Sequence, residues 1–302
     1  METAFDSKKY LELVLKDLRT RAQQTTGKLY VEINGKLLKD DFAQRIFPGY
    51  DSDNKKKLIA ELKHELEILV CVNANAIIEN TPMTKKEIPC IQHIELTLKR
   101  IETATGIRPH LVITQINPEE MYDLIFSFEK KFQKKGYRVW ENYLKKGFPI
   151  NKKLLLSENG FGNDDHIPIM KKICFITGIG TESGKLSTTI GQIYQDHEIW
   201  MESSFCMFQT LPLSELAPDH PINQARAKKR ENEMLTQDDL GETVEDSSQE
   251  SFSIIKNLLS EVISSENLIN RYEKVSDMIV CPTLEAINDL ASIENLAKKE
   301  ME

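Results

Sequence analysis

A phosphate-binding loop is the chemistry most directly suggested by residues 171–198. An apolar run is followed by Gly178 and Gly180, and then by the pair Gly184-Lys185 at the start of a helical pattern. In such a loop, backbone N–H groups and a helix N-terminus surround an anion, and a lysine contacts the terminal phosphates. We therefore predict a phosphate-binding site formed by Gly178, Gly180, Thr181, Ser183, Gly184, Lys185 and Ser187.

The loop departs from the common phosphate-binding motif in two ways. Five residues separate Gly178 from Gly184, whereas the pattern G-x4-G-K-[ST] has four. Leu186 also replaces the Ser or Thr whose hydroxyl binds Mg²⁺, so magnesium would have to be held by water, substrate or other acids. ATP with Mg²⁺ is the cofactor expected if the loop binds a nucleotide. The alternative is a glycine-rich turn in which Lys185 is simply solvated.

Four polar residues elsewhere are candidates for catalysis. Asn73 and Asn75 follow an apolar strand-like run, where side chains often face a ligand; they would equally suit the cap of the next helix. His220 and Asn223 follow a proline-rich segment, and a fixed histidine that titrates near neutrality can act as a general acid or base. Packing at a helix N-terminus is the alternative for this second pair. We predict no metal site, because the dipeptide at 64–65 lacks the second histidine of an HExxH motif.

Alternating apolar strands and amphipathic helices are expected to position these residues. Strand-like runs at 29–33, 67–74 and 110–116 are separated by helical patterns. This alternation favours parallel β-α-β units with helices on both faces of the sheet. The predicted fold is α/β: a Rossmann-like N-terminal region, then a P-loop-like strand-loop-helix, then a helical, acidic C-terminal segment. Ligands of such sheets bind beyond the carboxyl ends of the strands, where Asn73 and Gly178 are expected.

The chain is predicted to divide near residues 165 and 230. Residues 1–165 would form a Rossmann-like domain, 166–230 the P-loop-like segment, and 231–302 an acidic linker with a helical tail. Acidic side chains without Lys or Arg at 231–251 predict an exposed, mobile segment rather than a metal site. Locally, Asn34-Gly35 is typical of a hairpin turn, and residues 153–157 are predicted to form a short strand.

Bulk composition excludes some classes of partner. The net charge of −8 argues against broad nucleic-acid binding, and no apolar run reaches the ~20 residues of a membrane span. Five scattered cysteines without a CxxC pair indicate a reducing compartment. We therefore expect a cytoplasmic protein whose partner is a small phosphate-containing molecule. The sequence is also compatible with a homo-oligomer.

Six blocks of the sequence carry a family resemblance. They are GKLYVEINGKLLKDDFAQRIFPGYDSDNKKKLIAELK (27–63), VNANAI (72–77), LVITQ (111–115), SENGFGND (157–164), TGIGTESGKLST (177–188) and FQTLPLSELAPDHPIN (208–223). Over residues 7–225 the chain resembles the uncharacterised bacterial family catalogued as domain of unknown function 1846. The resemblance implies an α/β region with a nucleotide-type loop, and no established reaction. The loop is also similar to that of dethiobiotin synthetase and related ATPases, where it holds ATP.

The chain departs from the family pattern in two places. Gln209 stands where the family usually has a glutamate, so an acid is lost. Beyond Ala225 the sequence diverges and becomes acidic, which suggests a short form that lacks the family's usual C-terminal domain.

Three functions are compatible with these features. The first is an ATP-dependent transferase or ligase acting on a small metabolite. The second is a non-catalytic or regulatory protein that binds a nucleotide or a phosphorylated metabolite. The third is an enzyme that uses the loop to hold a phosphorylated substrate without ATP.

Overall fold

Seven parallel strands form the centre of the protein in a computed structural model, which describes residues 3–82, 88–180, 182–234 and 244–301. The strands are β1 (Leu29–Ile33), β2 (Leu66–Asn73), β3 (His110–Ile116), β4 (Val139–Tyr143), β5 (Ile173–Ile179), β6 (Ser204–Phe208) and β7 (Ile279–Val280). Their order across the sheet is β4-β3-β2-β5-β1-β6-β7, and every neighbouring pair is parallel. The Rossmann-like α/β fold expected from the sequence is confirmed.

Helices connect the strands. They are α1 (Ser7–Gln24), α2 (Asp41–Ile46), α3 (Asn54–Leu62), α4 (Ala74–Glu79), α5 (Cys90–Thr105), α6 (Pro118–Lys134), α7 (Lys152–Leu155), α8 (Lys185–Glu198), α9 (Pro221–Met234), α10 (Val244–Leu259), α11 (Leu268–Arg271), α12 (Val275–Met278) and α13 (Leu290–Lys299). Among the described residues, none of these helices is long and apolar enough to cross a lipid bilayer.

The strands are buried on both faces, as expected for an all-parallel sheet. Every residue of β1 and β6 is buried, and β2 and β5 each have a single half-buried position. All-parallel sheets occur where helices cover both faces, and their strands are then almost continuously apolar. The apolar runs seen in the sequence are therefore the middle layer of a three-layer structure.

Helix α1 shows how one apolar stripe fixes a helix against the sheet. Its buried residues, Tyr10, Val14, Leu18 and Ala22, recur at a spacing of four and so lie on one side of the helix. Asp6 caps the helix, since its carboxylate accepts hydrogen bonds from the first-turn N–H groups of residues 8 and 9.

The strand order produces a switch in chain direction at the centre of the sheet: the connection after β1 runs toward one edge of the sheet, and the connection after β5 runs toward the other. From β1 the chain passes over the position of β5 to reach β2, and from β5 it passes over β1 to reach β6. Because parallel connections are right-handed, these two crossovers lie on opposite faces. A crevice therefore opens beyond the carboxyl ends of β1 and β5, the usual ligand position in open α/β sheets.

Two local predictions are wrong. Asn34-Gly35 is not a hairpin turn: Gly35 has a positive φ of 76°, but both neighbours of β1 are parallel strands that come much later in the chain. Residues 153–157 do not form a strand, because α7 occupies Lys152–Leu155, where the Asn151 side chain accepts from the Leu154 N–H.

The boundaries predicted near residues 165 and 230 do not coincide with a boundary of the sheet. Strand β5, from the second predicted segment, lies between β2 and β1, from the first, and β7 from the third extends the same sheet. The SENGFGND segment also packs inward, since Phe161 is fully buried and Asp164 is ion-paired to Lys145 at 2.5 Å. Of the acidic run, residues 235–243 lie outside the described ranges and 244–251 begin α10.

Candidate functional site

The loop between β5 and α8 is closely packed, and two of its glycines are required by that packing. A Cβ atom on Gly178 would overlap the Ser183 hydroxyl and lie 3.4 Å from Cδ of Lys185. Gly184 has a φ of +78°, and a Cβ atom there would lie 2.7 Å from Cβ of Thr114. The predicted strand-loop-helix is therefore present, and its glycines allow the loop to close over the strand ends. Thr181 lies outside the described residues.

Side chains from the ends of β2 and β3 hold this loop. Thr114 Oγ1 donates to the Ser183 carbonyl at 2.9 Å, and Gln115 Nε2 donates to the Glu182 carbonyl at 2.9 Å. Asn73 Nδ2 donates to that same Glu182 carbonyl at 3.4 Å. These bonds engage the carbonyls of Glu182 and Ser183 and hold the loop against the ends of β2 and β3.

The ammonium of Lys185 lies at the carboxyl end of β1. Its Nζ atom is 3.1 Å from Oε1 of Glu32 and 3.4 Å from the carbonyl oxygen of Ile33. Glu32 is only 6% exposed, and its second oxygen, Oε2, has no hydrogen-bond partner among the described residues. The site therefore combines a cation with a buried carboxylate that retains one unused acceptor.

Glu32 was not among the residues predicted from the sequence. An acid in the otherwise apolar strand LYVEI is the signal that could have identified it. A charged side chain in a strand buried on both faces must be paired or must meet a ligand. Its partner, however, lies far along the chain and is set by the strand order.

The N-terminus of α8 is the second electropositive feature of the loop. Gly184 occupies the N-cap position and has no side chain that could cap the helix. The first N–H groups of any helix lack partners within the helix and carry a partial positive charge. This end of α8, like the Lys185 ammonium, therefore favours an anion.

The residues that follow Lys185 do not reproduce a magnesium site. Leu186 packs against the apolar core. Ser187 is half-buried in the first turn of α8. Thr188 is fully buried, where its hydroxyl accepts from Asn142 Nδ2 at 3.0 Å. Within the described ranges, no three His, Cys, Asp or Glu side chains gather closely enough to hold a metal ion.

Asn73 and Asn75 occupy different environments. Asn73 is buried and acts as the N-cap of α4, because its Oδ1 atom accepts from the Asn75 N–H at 2.8 Å. Asn75 itself is exposed on α4. The structure thus gives Asn73 a role in positioning the loop through Glu182, as described above.

His220 ends the connection between β6 and α9, and Asn223 lies in the first turn of α9. Nε2 of His220 is 3.2 Å from Oε1 of Glu294, and its Nδ1 atom accepts from the Ile222 N–H at 3.3 Å. Asn223 Nδ2 donates to three carbonyls of the preceding segment, those of Leu213, Leu216 and Ala217. Both side chains therefore stabilise this connection, and the hydrogen bonds of the described residues do not join them to Lys185.

Two further buried features lie near the carboxyl ends of the strands, which together form the carboxyl edge of the sheet. They are the Cys71 thiol and the ion pair between Lys55 and Asp40. Burial raises the pKa of the Cys71 thiol to about 12, so this group behaves as a small apolar side chain. Lys55 is paired with Asp40 at 3.5 Å, and its ammonium donates to the Lys36 carbonyl at 2.8 Å. Burial opposes ionisation of Asp40, but the Lys55 ammonium, together with the Ala43 N–H and the Thr210 hydroxyl, holds the pKa of that carboxyl below its ordinary value.

The fold and this edge together define an α/β protein of Rossmann-like type, with a glycine-rich strand-loop-helix at the switch in chain direction. The family model described as "Domain of unknown function DUF1846, N-terminal" matches residues 3–301, and the chain belongs to this family. The family model therefore extends past Ala225 to residue 301. The comparisons do not confirm the resemblance of the loop to dethiobiotin synthetase.

Two of the similar curated proteins come from streptococci. The chain is 36% identical over 222 residues to a UPF0371 protein of Streptococcus pyogenes serotype M5, covering 74% of this chain and 44% of that protein. It is 36% identical over 225 residues to a UPF0371 protein of Streptococcus equi subsp. equi, with the same two coverages. The matched region thus spans less than half the length of these relatives.

Proposed function

We propose that the carboxyl edge between β1 and β5 binds a small metabolite through a phosphate group. The observation that carries this proposal is the Lys185 ammonium beside the uncapped N-terminus of α8, at the switch in chain direction. Helix N-termini bind phosphates because their N–H groups and dipole both face the anion. The 14-residue length of α8 makes this end a substantial source of positive potential.

Lys185 can contact such a ligand without leaving Glu32. An ammonium group has three N–H donors, and the Glu32 carboxylate and the Ile33 carbonyl account for two of them. The third donor and the first-turn amides of α8 are the groups that would meet the phosphate. Glu32 would fix the position of the lysine and keep its charge from being fully exposed.

Binding is better supported than ATP hydrolysis. Leu186 supplies no oxygen for Mg²⁺, and both ring nitrogens of His220 are engaged by Glu294 and Ile222. The arrangement therefore favours a protein that holds a phosphorylated metabolite, as a substrate or as an effector. The free, buried state of all five cysteines supports a reducing, cytoplasmic setting for this activity.

An ATP-dependent transferase or ligase is the second candidate. The observation in its favour is the unused Oε2 atom of Glu32, close to Lys185. Mg²⁺ is commonly held by one or two carboxylates together with substrate phosphates, so Glu32 could replace the missing hydroxyl of the motif. Under this proposal, ATP binding depends on Mg²⁺ and on the Glu32 carboxylate.

Isothermal titration calorimetry at low salt separates the two candidates. The ligands are inorganic phosphate, a sugar phosphate, and ATP with and without Mg²⁺, each titrated into the wild-type protein, Lys185→Ala and the exposed control Lys153→Ala. Loss of binding in Lys185→Ala alone supports the site. Unchanged affinity for every ligand in Lys185→Ala would refute it, and Mg²⁺-dependent binding of ATP alone would favour the transferase.

A further inference from the structure

Two buried side-chain oxygens at this edge lack hydrogen-bond donors. Oε2 of Glu32 and Oε1 of Gln209 have no partner among the described residues, although the two residues are only 6% and 3% exposed. Nearly all buried polar atoms in proteins are paired, because an unpaired one keeps its desolvation cost. These two acceptors, one in β1 and one directly after β6, are available to hydrogen-bond donors of a bound molecule.

The register of β1 and β6 places these acceptors on one face of the sheet. Glu32 lies opposite Met207, and the Asn34 N–H donates to the Phe208 carbonyl, which brings Asn34 opposite Gln209. Side chains alternate along a strand, so residues two apart point the same way. Glu32, Asn34 and Gln209 therefore share the face from which Lys185 reaches Glu32.

Asn34 adds a third unsatisfied group to this face. Its Nδ2 atom is buried and has no partner among the residues described, while the residue as a whole is half-buried. An amide can present either its donor or its acceptor by rotating, so Asn34 suits a ligand group that both donates and accepts. Hydroxyl groups have that property.

The charges of the site favour neutral donors over a second cation. Oε1 of Glu32 already faces the Lys185 ammonium, so the carboxylate is compensated within the protein. The acceptor on Gln209 is a neutral amide. Carboxylates at the ends of strands in dinucleotide-binding folds accept hydrogen bonds from ribose hydroxyls, which shows that this chemistry suits the position.

We infer that the ligand is a polyol or sugar phosphate, whose hydroxyl groups donate to Glu32 and Gln209 while its phosphate faces Lys185 and the N-terminus of α8. This inference rests on the proposed phosphate site and adds the class of ligand. The single negative charge of Glu32 and the neutral amides beside it select hydroxyls; the lysine and the helix select the phosphate.

Calorimetry with three probes tests the inference. The probes are ribose 5-phosphate, methyl phosphate and phosphoethanolamine, which carry hydroxyls, no second polar group, and an ammonium, respectively. We expect wild-type protein to bind ribose 5-phosphate about tenfold or more tightly than methyl phosphate, as for a hydrogen bond to a charged group. Glu32→Gln should reduce that ratio strongly, and the exposed control Glu61→Gln should leave it unchanged.

Gln209→Met provides an independent variant, because it removes a neutral group of similar size. It too should lower the ratio of affinities, by a smaller factor, with methyl phosphate binding unchanged. Should both variants keep the wild-type ratio while Lys185→Ala loses every probe, the phosphate site stands and the hydroxyl inference is overturned. Preference for phosphoethanolamine over ribose 5-phosphate would also overturn it. If Lys185→Ala changes no affinity, the phosphate site itself fails.

Discussion

The Lys185 ammonium and the Glu32 carboxylate form a 3.1 Å ion pair that joins the start of α8 to the end of β1. The pair connects the two strands between which the chain direction switches. It also places opposite charges in one partly buried crevice, where Lys185 retains 24% of its side-chain exposure. The crevice is therefore prepared for a ligand with both an anionic and a hydrogen-bonding part.

Removing one partner of the ion pair should lower the free energy of unfolding more than removing both. Lys185→Met leaves a buried, unpaired carboxylate, so the free energy of unfolding should fall by about 2–3 kcal/mol. The double variant Lys185→Met/Glu32→Gln should recover most of that loss, because no charge is then buried. Urea unfolding of both variants and of Glu32→Gln completes a double-mutant cycle. Equal stability of the single and double variants would contradict the prediction.

Gln209→Met should stabilise the ligand-free protein while weakening ligand binding. Gln209 is buried and its Oε1 atom has no hydrogen-bond partner within the described part of the chain, so an apolar side chain of similar length should raise the free energy of unfolding by about 1 kcal/mol. Thermal unfolding without ligand measures this gain. The additional stabilisation produced by ribose 5-phosphate should be smaller than in the wild type. A lower unfolding midpoint without ligand would show that Gln209 is already satisfied.

Gly178→Ala should disrupt the loop. Its new Cβ atom would overlap the Ser183 hydroxyl, and overpacking of this kind costs about 1–3 kcal/mol. Phosphate binding should be lost as the loop shifts away from Lys185. Gly35→Ala is the matched control: no atom of the residues that the structure describes lies within 4 Å of its added Cβ, so only the positive φ opposes it. Gly35→Ala should lower the free energy of unfolding, but its affinity for phosphate should equal that of the wild type.

His110 should make stability depend on pH. Burial lowers the pKa of His110; the nearby Glu67 carboxylate raises it and Arg138 lowers it further. Its Nδ1 atom accepts from Trp140 Nε1 at 3.0 Å. Protonation of Nδ1 would replace this hydrogen bond with a contact between two N–H donors. Above the ordinary histidine pKa of about 6.5 the ring is neutral in both states and costs nothing. As the pH falls below that value, the unfolded state gains a proton that the folded state resists, and stability declines.

Urea unfolding between pH 8 and pH 5, followed by Trp140 fluorescence in a Trp200→Phe background, measures this decline. His110→Gln keeps an acceptor for the indole but cannot titrate, so its stability should change less over the same range. Parallel pH profiles for the two proteins would exclude His110 as the cause.

The strand-loop-helix could be predicted from the sequence because its signals are local. An apolar run, glycines and an amphipathic pattern all occur within residues 171–198, and the structure places β5, the loop and α8 there. The parallel sheet was likewise predictable from apolar runs separated by helices. The hairpin predicted at Asn34-Gly35 was wrong because a turn signal of two residues does not indicate which strand lies beside β1.

The partners of the site residues could not be predicted, since they depend on strand order. Lys185 meets Glu32 only because β5 lies beside β1. Thr114 and Gln115 hold the loop only because β2 and β3 end near it. Periodicity in a single sequence indicates which segments become strands, but it does not indicate which strands will be neighbours in the sheet.

The central place of β5 has a consequence for how the chain is made. On the ribosome, β1 and β2 emerge early, but the strand that bridges them, Ile173–Ile179, is synthesised only after β4. Until then the two earlier strands have unpaired edges, and exposed edges of apolar strands promote association between chains. A fragment that ends at residue 165 would keep those edges permanently. Fusion or truncation at that position should therefore yield aggregates, and the shortest foldable fragment must include β5.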